Sequence, residues 1–434
     1  MNVPPGALAI LHRLEEAGYQ AWIVGGAVRD ALLGLSGHDV DITTNARPDA
    51  IQALFSDVTT LDVGKAFGTI RVVWDDGVYE VTTYRAEQGY RDGRHPDAVC
   101  FSERIEEDLM RRDFTMNAMA WHPSRGLLDV YHGRDDLARG ILRAVGDAEE
   151  RIGEDALRML RAVRFAARFS LQLEPSLREA IHTHLSRLSL ISAERIADEL
   201  ERMWEGAHAE RALSLLMETG LWATLFPTLP AEGVSVALFC AVPRDAAFRW
   251  AALGRGLVTQ ETPEGAATLW PVEGPNVRHR KAQAREMRRL LKQLKLPTKR
   301  LDRVSAMLSQ PQEPLPQTLK EAQRFVGATS PDTEDIVTFL DAEARARDDA
   351  AAEREIALVS AFLAIIKRDH LPTTVGDLAI SGADVLAHGI PQGRVVGQVL
   401  SSLLEDVIDE RVLNTPEALK KALPDPTLFQ HHKA

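Results

Sequence analysis

Asp39 and Asp41 are separated by a single apolar residue, Val40. On a strand, residues two apart point to the same face. Both carboxylates would then face one way while Val40 and Ile42 pack the other. Two carboxylates that close repel unless a cation sits between them, and Mg²⁺ takes oxygen ligands that it usually shares with substrate phosphates. Glu80, in the run Val78-Tyr79-Glu80-Val81-Thr82, is a candidate third carboxylate from a neighbouring strand. Three such groups would suit a two-metal site, one ion activating a nucleophilic hydroxyl and the other steadying a leaving pyrophosphate. Asp-x-Asp by itself is more often a solvated strand edge. Here it follows Gly25-Gly26, whose backbone N–H groups can approach a phosphate at the start of a helix. Arg29, in the first turn of that helix, can pair with phosphate oxygens.

Such a site needs a small sheet to position it. Pro5 to Ala17 carries apolar residues at helical spacing, and Ala21 to Val24 is a short apolar strand running into Gly25-Gly26. Ala27 to Leu33 reads as a helix and Val40 to Thr43 as a second strand. Thr69 to Trp74 and Val78 to Thr83 flank Asp75-Asp76-Gly77, a strong hairpin signal. Met116 to Trp121 and Leu127 to Val130 read as further strands, or as a helix end followed by a strand. From about Ile141 the period turns helical: Asp155 to Phe169, Pro175 to Leu185, Ala193 to Met203, Ala209 to Met217, and on to Thr415 to Leu423. Arg255 to Val277, rich in Gly, Pro and Thr, reads as a long loop, and Ser309 to Leu319 as a proline-bearing connection. The expected fold class is α+β, a mixed-sheet segment over 1–140 followed by helical segments over 141–205, 206–330 and 331–434.

The bulk composition sets limits. A chain of 434 residues with 45% hydrophobic and 26% charged residues is an ordinary globular sequence of several domains. Its longest apolar runs, such as Ile356 to Ile366, are too short to span a bilayer. Met1 to Pro5 has neither a basic nor an apolar signal region, so no secretion signal is expected. Two cysteines, Cys100 and Cys240, form no disulfide framework and no zinc site, which fits a reducing cytoplasmic compartment. His38, His431 and His432 are assigned to no metal. A net charge of −12 argues against a nucleic-acid partner, but the average hides a local reversal. Arg278 to Arg303 is strongly basic, with Arg278, Arg280, Lys281, Arg285, Arg288, Arg289 and Lys292 around a partial apolar face of Met287, Leu290, Leu291, Leu294 and Leu296. A helix of that kind can follow a phosphate backbone without reading sequence.

The string Gly25-Gly26-x-Val28-Arg29-Asp30-x-Leu32-Leu33-Gly34, followed by Asp39-x-Asp41, resembles the signature of class II tRNA nucleotidyltransferases and the related bacterial poly(A) polymerases. The likeness continues in Arg111-Arg112-Asp113-Phe114-Thr115-Met116-Asn117-Ala118 and in the block from Glu154 through Arg158, Arg161 and Arg164 to Phe165. Ile191-Ser192-x-Glu194-Arg195-Ile196 is a further block, and Asp377 to Asp384 resembles the tail of bacterial members. The resemblance is dense over the first half and sparse in the tail. It implies a nucleotidyltransferase head holding the metal site, then a helical neck, body and tail that hold tRNA. The implied reaction adds CMP, CMP and AMP to the tRNA 3′ end from CTP and ATP, without a template, using Mg²⁺ ions and neither a membrane nor a protein partner. The alternatives are a poly(A) polymerase, an enzyme adding only CC or only A, and a non-catalytic RNA-binding protein on the same fold.

Choosing C and A without a template is a hydrogen-bonding problem. Cytosine and adenine both present an amino donor beside a ring-nitrogen acceptor, so an acid and an arginine can read them. Uracil and guanine present the reverse pattern, which a site built this way rejects. Asp155 and Arg158, three apart, would be neighbours on one helical face, and the resemblance assigns them this role. Arg161 and Arg164 continue the spacing and read as triphosphate or orienting contacts. The resemblance gives Asp113 to the ribose and one or both of Arg111 and Arg112 to the nucleotide. In this family a flexible loop in the region of Arg85 to Phe101 is linked to the switch from C to A addition. Members adding only CC are shortened there, whereas this stretch is full length.

Overall fold

The computed structural model describes residues 1–35, 39–62, 64–88, 98–257, 277–309 and 314–429. The chain divides into two compact units, Met1–Pro227 and Thr228–Ala434.

The first unit opens with α1 (Pro5–Glu16), β1 (Ala21–Val24), α2 (Gly26–Leu32), β2 (Asp41–Thr44) and α3 (Pro48–Leu54). Then come β3 (Thr60–Leu61), β4 (Thr69–Trp74), β5 (Gly77–Thr83), β6 (Arg85–Gln88), β7 (Ala98–Phe101), α4 (Ile105–Met110), β8 (Ala120–His122) and β9 (Gly126–Leu128). Among the described residues the main sheet has the order β3-β4-β5-β2-β1-β8-β9. Its two faces follow the period of two in β1. Ala21 and Ile23 join a core with Ile10, Leu11, Ile42, Ile51, Phe55, Ile70 and Val81, under α1 and α3. Trp22 and Val24 join the opposite one, with Tyr84, Ile105, Leu109 and Ala120. A strand buried on both faces reads as a continuous apolar run, and Ala-Trp-Ile-Val is one.

The β4–β5 hairpin turns at Asp75-Asp76, as its sequence predicts. Asp76 also pins the start of α1, accepting from the Gly6 N–H and the Tyr79 hydroxyl, each at 2.9 Å. β2 begins at Asp41, one residue later than the sequence suggested, so Asp39 lies ahead of the strand. The stretch 85–101, where the resemblance implies a flexible loop, has paired ends: β6 and β7 form an antiparallel ribbon from Arg85↔Phe101 to Gln88↔Ala98. Its middle, 89–97, lies outside the described residues. The alternation in these short arms is too weak to separate a ribbon from a loop.

Helices follow: α5 (Gly133–Arg139), α6 (Ala148–Glu154), α7 (Leu157–Arg168), α8 (Pro175–Thr183), α9 (Ala193–Glu205), α10 (Ala209–Glu218) and α11 (Leu221–Leu225). α7 is central, packing along α9 and α10. Its buried side includes Met159, Leu160, Ala162, Val163 and Ala166. Backbone bonds from Thr115 to Arg143 and from Val145 to Asp113, at 3.0 and 3.2 Å, fix the Asp113 segment to the chain that leads into this layer.

The second unit is helical, from α12 (Val236–Ala241), α13 (Ala246–Gly254), α14 (Val277–Gln293) and α15 (Thr298–Ser309) to α16 (Leu319–Thr329), α17 (Thr333–Ala346) and α18 (Ala350–Asp369), and then to α19 (Gly382–Ala387), α20 (Arg394–Ile408) and α21 (Pro416–Lys421). The loop expected over Arg255–Val277 falls mostly outside the described residues, as does part of the Ser309–Leu319 connection. The basic stretch 278–303 is two helices, not one. Lys295 takes a left-handed φ of 58° and Pro297 follows it, and a proline cannot continue the ladder. Among the described residues no helix is long and apolar enough to cross a membrane.

Candidate active site

One cleft of about 620 Å³ in the first unit gathers most of the residues singled out from sequence. Gly25, Gly26, Arg29, Asp41, Glu80, Arg111, Arg112, Asp113, Asn117, Asp155, Arg158, Arg161 and Arg164 all line it. Asp39 is exposed beside it, ahead of β2. Ten arginines and four carboxylates contribute to the wall, so the cleft is strongly cationic within a chain of net charge −12. A cavity with that surplus suits a polyanion such as a triphosphate.

At the floor, β2 lies between β1 and β5. Asp41 is the register partner of Val24 on one side and of Glu80 on the other. Val40 and Ile42 are buried while Asp39 and Asp41 are exposed, so the expected alternation holds although Asp39 precedes the strand. Asp41 keeps solvent access through the cleft yet sits low among protein atoms. That desolvation and the Glu80 carboxylate push its carboxyl above the usual carboxylate range, while Arg112 opposes this and Asp39 adds to it. Glu80 is held by Arg71 through bonds of 2.9 and 2.7 Å. Among the described residues no group of three His, Cys, Asp or Glu side chains is placed to hold a metal, while Glu80 stands beside Asp41 across the β2–β5 pair and lines the same cleft. Asp39 and Asp41 remain as a pair of oxygen donors whose mutual repulsion a hard divalent cation would relieve. Such an ion completes its shell with water and phosphate oxygens.

Gly25 ends β1 with φ 70° and ψ −125°, a left-handed region that favours glycine. A β-carbon there would come within 2.7 Å of an Arg112 guanidinium nitrogen. Arg112 and Arg111 are gathered by Asp108, which is fully buried and also accepts from the Arg85 N–H at 3.2 Å. Burial alone would raise the Asp108 carboxyl, but Arg111 and Arg112 overcome it and hold it below the usual range.

Arg29 lines the cleft but is largely buried, its guanidinium held by protein partners. It donates to Asn117 at 2.6 Å and to Asp30 at 2.8 Å, and lies over the Phe169 ring at 4.5 Å. Asn117 passes the connection on, donating to Asp113 at 3.0 Å. Asp113 also receives the Phe114 N–H and a two-pronged bond from Arg161 at 2.9 and 2.6 Å. Burial opposes its ionisation, yet Arg161, Asn117 and Arg158 bring its pKa down to about 2. Arg164 is bonded to buried Glu199 of α9 at 2.6 Å and stands 4.1 Å from the Phe165 ring centre.

Asp155 and Arg158 both line the cleft, but not as neighbours on one helix. Asp155 is extended, at φ −141° and ψ 103°, between α6 and α7. Its carboxylate accepts from the Leu157 N–H at 3.0 Å and from Arg195 at 2.8 Å. An aspartate that caps the following turn competes with helix continuation, which is why the run expected over Asp155 to Phe169 breaks there. Arg158 donates to Glu154 at 2.6 Å and to the carbonyls of Arg151 and Arg111 at 2.7 and 3.1 Å. Those bonds use three of its five N–H groups.

Sequence reasoning missed Arg85, Arg168, Arg195 and Arg202 as lining residues. Arg168 continues the three-and-four spacing of Arg158, Arg161 and Arg164, and Arg202 follows Arg195 by seven. The periodicity therefore carried that signal.

In the second unit, Lys281, Arg285, Arg289 and Lys292 are exposed on α14, while Met287 and Leu291 are buried. Arg280 and Arg288 are half-buried, and Arg288 pairs with Asp302 at 2.6 Å. Arg278 lies in the first turn of the helix.

Three family models match successive stretches of the chain. They are the Poly A polymerase head domain over residues 21–143, the "Probable RNA and SrmB- binding site of polymerase A" over 170–232, and tRNA nucleotidyltransferase domain 2 over 278–423. The chain is 33% identical over 420 residues to a CCA-adding enzyme of Lactobacillus helveticus, covering 96% of each. It is 37% identical over 415 residues to a CCA-adding enzyme of Geobacillus stearothermophilus, covering 95% of each. The crystal structure of the Bacillus stearothermophilus CCA-adding enzyme in complex with CTP matches with a TM-score of 0.72 at 32% identity, covering 96% of this chain and 97% of that one.

Proposed function

Because the chain belongs to the CCA-adding enzyme family of tRNA nucleotidyltransferases, we propose that it adds CMP, CMP and AMP in turn to the 3′ end of tRNA, taking them from CTP and ATP and releasing pyrophosphate. The observation that carries this reading is the single cleft lined by Asp41, Arg112, Asp113, Asp155 and Arg158. Nucleotidyltransferases of this family work with divalent metal. Here we read the ion as Mg²⁺, since Asp39 and Asp41 offer oxygen alone. When bound, it supplies charge stabilisation for the attacking hydroxyl and the departing pyrophosphate.

The protein's own part is positioning and electrostatics. Arg112 and the Gly25-Gly26 turn would lie along the polyphosphate. Asp113 already accepts four bonds, from Phe114, Asn117 and twice from Arg161, so it would take the ribose hydroxyl by exchanging one of them. Asp155 would accept from the amino group of cytosine or adenine, and Arg158 would donate a remaining N–H to the ring nitrogen. Both side chains are tied to protein on their other sides, which suits recognition of one hydrogen-bond pattern and rejection of its reverse. In the second unit, the exposed cationic side of α14 would follow tRNA phosphates without reading sequence.

We read residues 1–140 as the head, 141–205 as the neck, 206–330 as the body and 331–434 as the tail, all working in the cytoplasm. The names of the first two matching family models also favour a second reading, a poly(A) polymerase. Incubating the protein with tRNA lacking CCA, Mg²⁺ and each labelled nucleotide separates them. CMP incorporation followed by one AMP supports CCA addition, and runs of AMP alone support the second reading.

A further inference from the structure

α7 presents Arg158, Arg161, Arg164 and Arg168 to one cleft. Steps of three and four keep these side chains on one stripe. From Arg158 to Arg168 the axis advances about 15 Å at the usual rise, on the order of the extended length of a nucleoside triphosphate from base edge to outer phosphates. The rungs differ in what holds them. Arg158 is tied to Glu154, Arg161 to Asp113 and Arg164 to Glu199. Arg168, the last rung, is exposed and lies over the Phe169 ring at 4.9 Å. Buried Arg29 rests on the same ring at 4.5 Å and is bonded through Asn117 to Asp113. Arg168 is close enough to Arg29 to act against its charge, and Arg202 of α9, itself paired with Asp198 at 3.0 Å, acts in the same way on Arg164. The far end of the cleft therefore concentrates cations at the place where a triphosphate running from Asp155 would end.

We propose that Arg168, with Arg202 of α9 lining the same cleft, seats the outermost phosphate of the incoming nucleotide and then the leaving pyrophosphate. The inference rests on the reading of Asp155 and Arg158 as the base-binding end. It makes α7 a gauge of ligand length: base at Arg158, ribose at Arg161 through Asp113, phosphates at Arg164 and Arg168. An arginine in a last helical turn can also serve only to offset the helix dipole, and the two roles part in a binding experiment.

The full chain and its Arg168→Ala, Arg168→Lys and Arg202→Ala variants are titrated with CTP and with CMP in Mg²⁺, and inhibition by pyrophosphate is measured. The gauge predicts that Arg168→Ala weakens CTP and pyrophosphate about tenfold, leaves CMP within about twofold, and is partly rescued by lysine. Arg202→Ala should act in the same direction. A loss of thermal stability with an unchanged ratio of CTP to CMP affinity would overturn the proposal in favour of a helix-end role. A higher KM for tRNA alone would overturn it in favour of an RNA phosphate. Wild-type protein that binds CMP as tightly as CTP would overturn the reading of the whole cleft together with the gauge.

Discussion

Asp113 and Arg161, forty-eight residues apart, meet in a two-pronged ion pair of 2.9 and 2.6 Å that joins the sheet-bearing segment to α7. The pair links the segment carrying the metal-site candidates to the helix carrying the base-reading candidates. Removing the charge should therefore cost stability. The folded Asp113 pKa of about 2 lies below the ordinary carboxylate value. Its contribution is thus fully present above about pH 4 and lost as the pH falls through about 2. We expect Asp113→Asn to lower unfolding free energy by roughly 2 kcal/mol at pH 7. Urea melts of both proteins should give a constant difference down to about pH 4 and a shrinking one below it. A difference that grows on acidification would contradict the assignment.

Asp41 should behave in the opposite way. Desolvation, Glu80 and Asp39 all disfavour its charge, so ionised Asp41 works against the folded state without a cation. Asp41→Asn is expected to match or exceed the wild-type melting temperature while reducing nucleotide addition by about 10³-fold or more. Mg²⁺ should raise the melting temperature of the wild type and leave that of the variant unchanged. Near-normal turnover by Asp41→Asn would remove the metal reading.

Gly25→Ala combines two faults, an unfavourable φ and a β-carbon 2.7 Å from Arg112. The strain should cost about 1–3 kcal/mol, and displacement of Arg112 should lower kcat/KM for CTP at least about tenfold. Paired thermal melts and steady-state kinetics test both. Unchanged kcat/KM would show that Arg112 does not serve the nucleotide.

Arg158→Lys keeps a positive charge but loses the planar fork. Incorporation of UMP or GMP relative to CMP should rise about 10- to 100-fold, measured by competition between labelled nucleotides. Unchanged selectivity would place base reading elsewhere.

The exposed side of α14 makes a separate claim. Lys281→Glu, Arg285→Glu and Lys292→Glu together should weaken tRNA binding and lower the slope of log K against log salt by about 2–3. KM for CTP should not move. A salt slope equal to that of the wild type would exclude this helix from the RNA path.

The sequence made the local features legible because each is written in neighbouring residues. Asp39-Val40-Asp41 shows its alternation, Asp75-Asp76-Gly77 its turn, and Arg158, Arg161 and Arg164 their helical spacing. The partners of these residues were not legible. Asp108 gathering Arg111 and Arg112, Glu199 holding Arg164, and Arg195 reaching Asp155 are set by packing between elements, which leaves no local pattern. Two breaks that are written locally were nonetheless read through: Asp155, which accepts from the Leu157 N–H between α6 and α7, and Lys295 with Pro297 between α14 and α15. Arg29 was legible as a cleft residue, but its bonds to Asp30 and Asn117 and its seat on Phe169 were not, because sequence carries its charge but not its neighbours.

The most direct measurement uses tRNA truncated before its 3′ CCA, purified protein, Mg²⁺ and the four nucleotides singly and together, with every product sequenced. The account predicts extension by two C residues with CTP alone, no extension with UTP or GTP, and a product ending in CCA and no longer when CTP and ATP are both present. Products that run on with repeated A, or that admit U or G as readily as C, would contradict it.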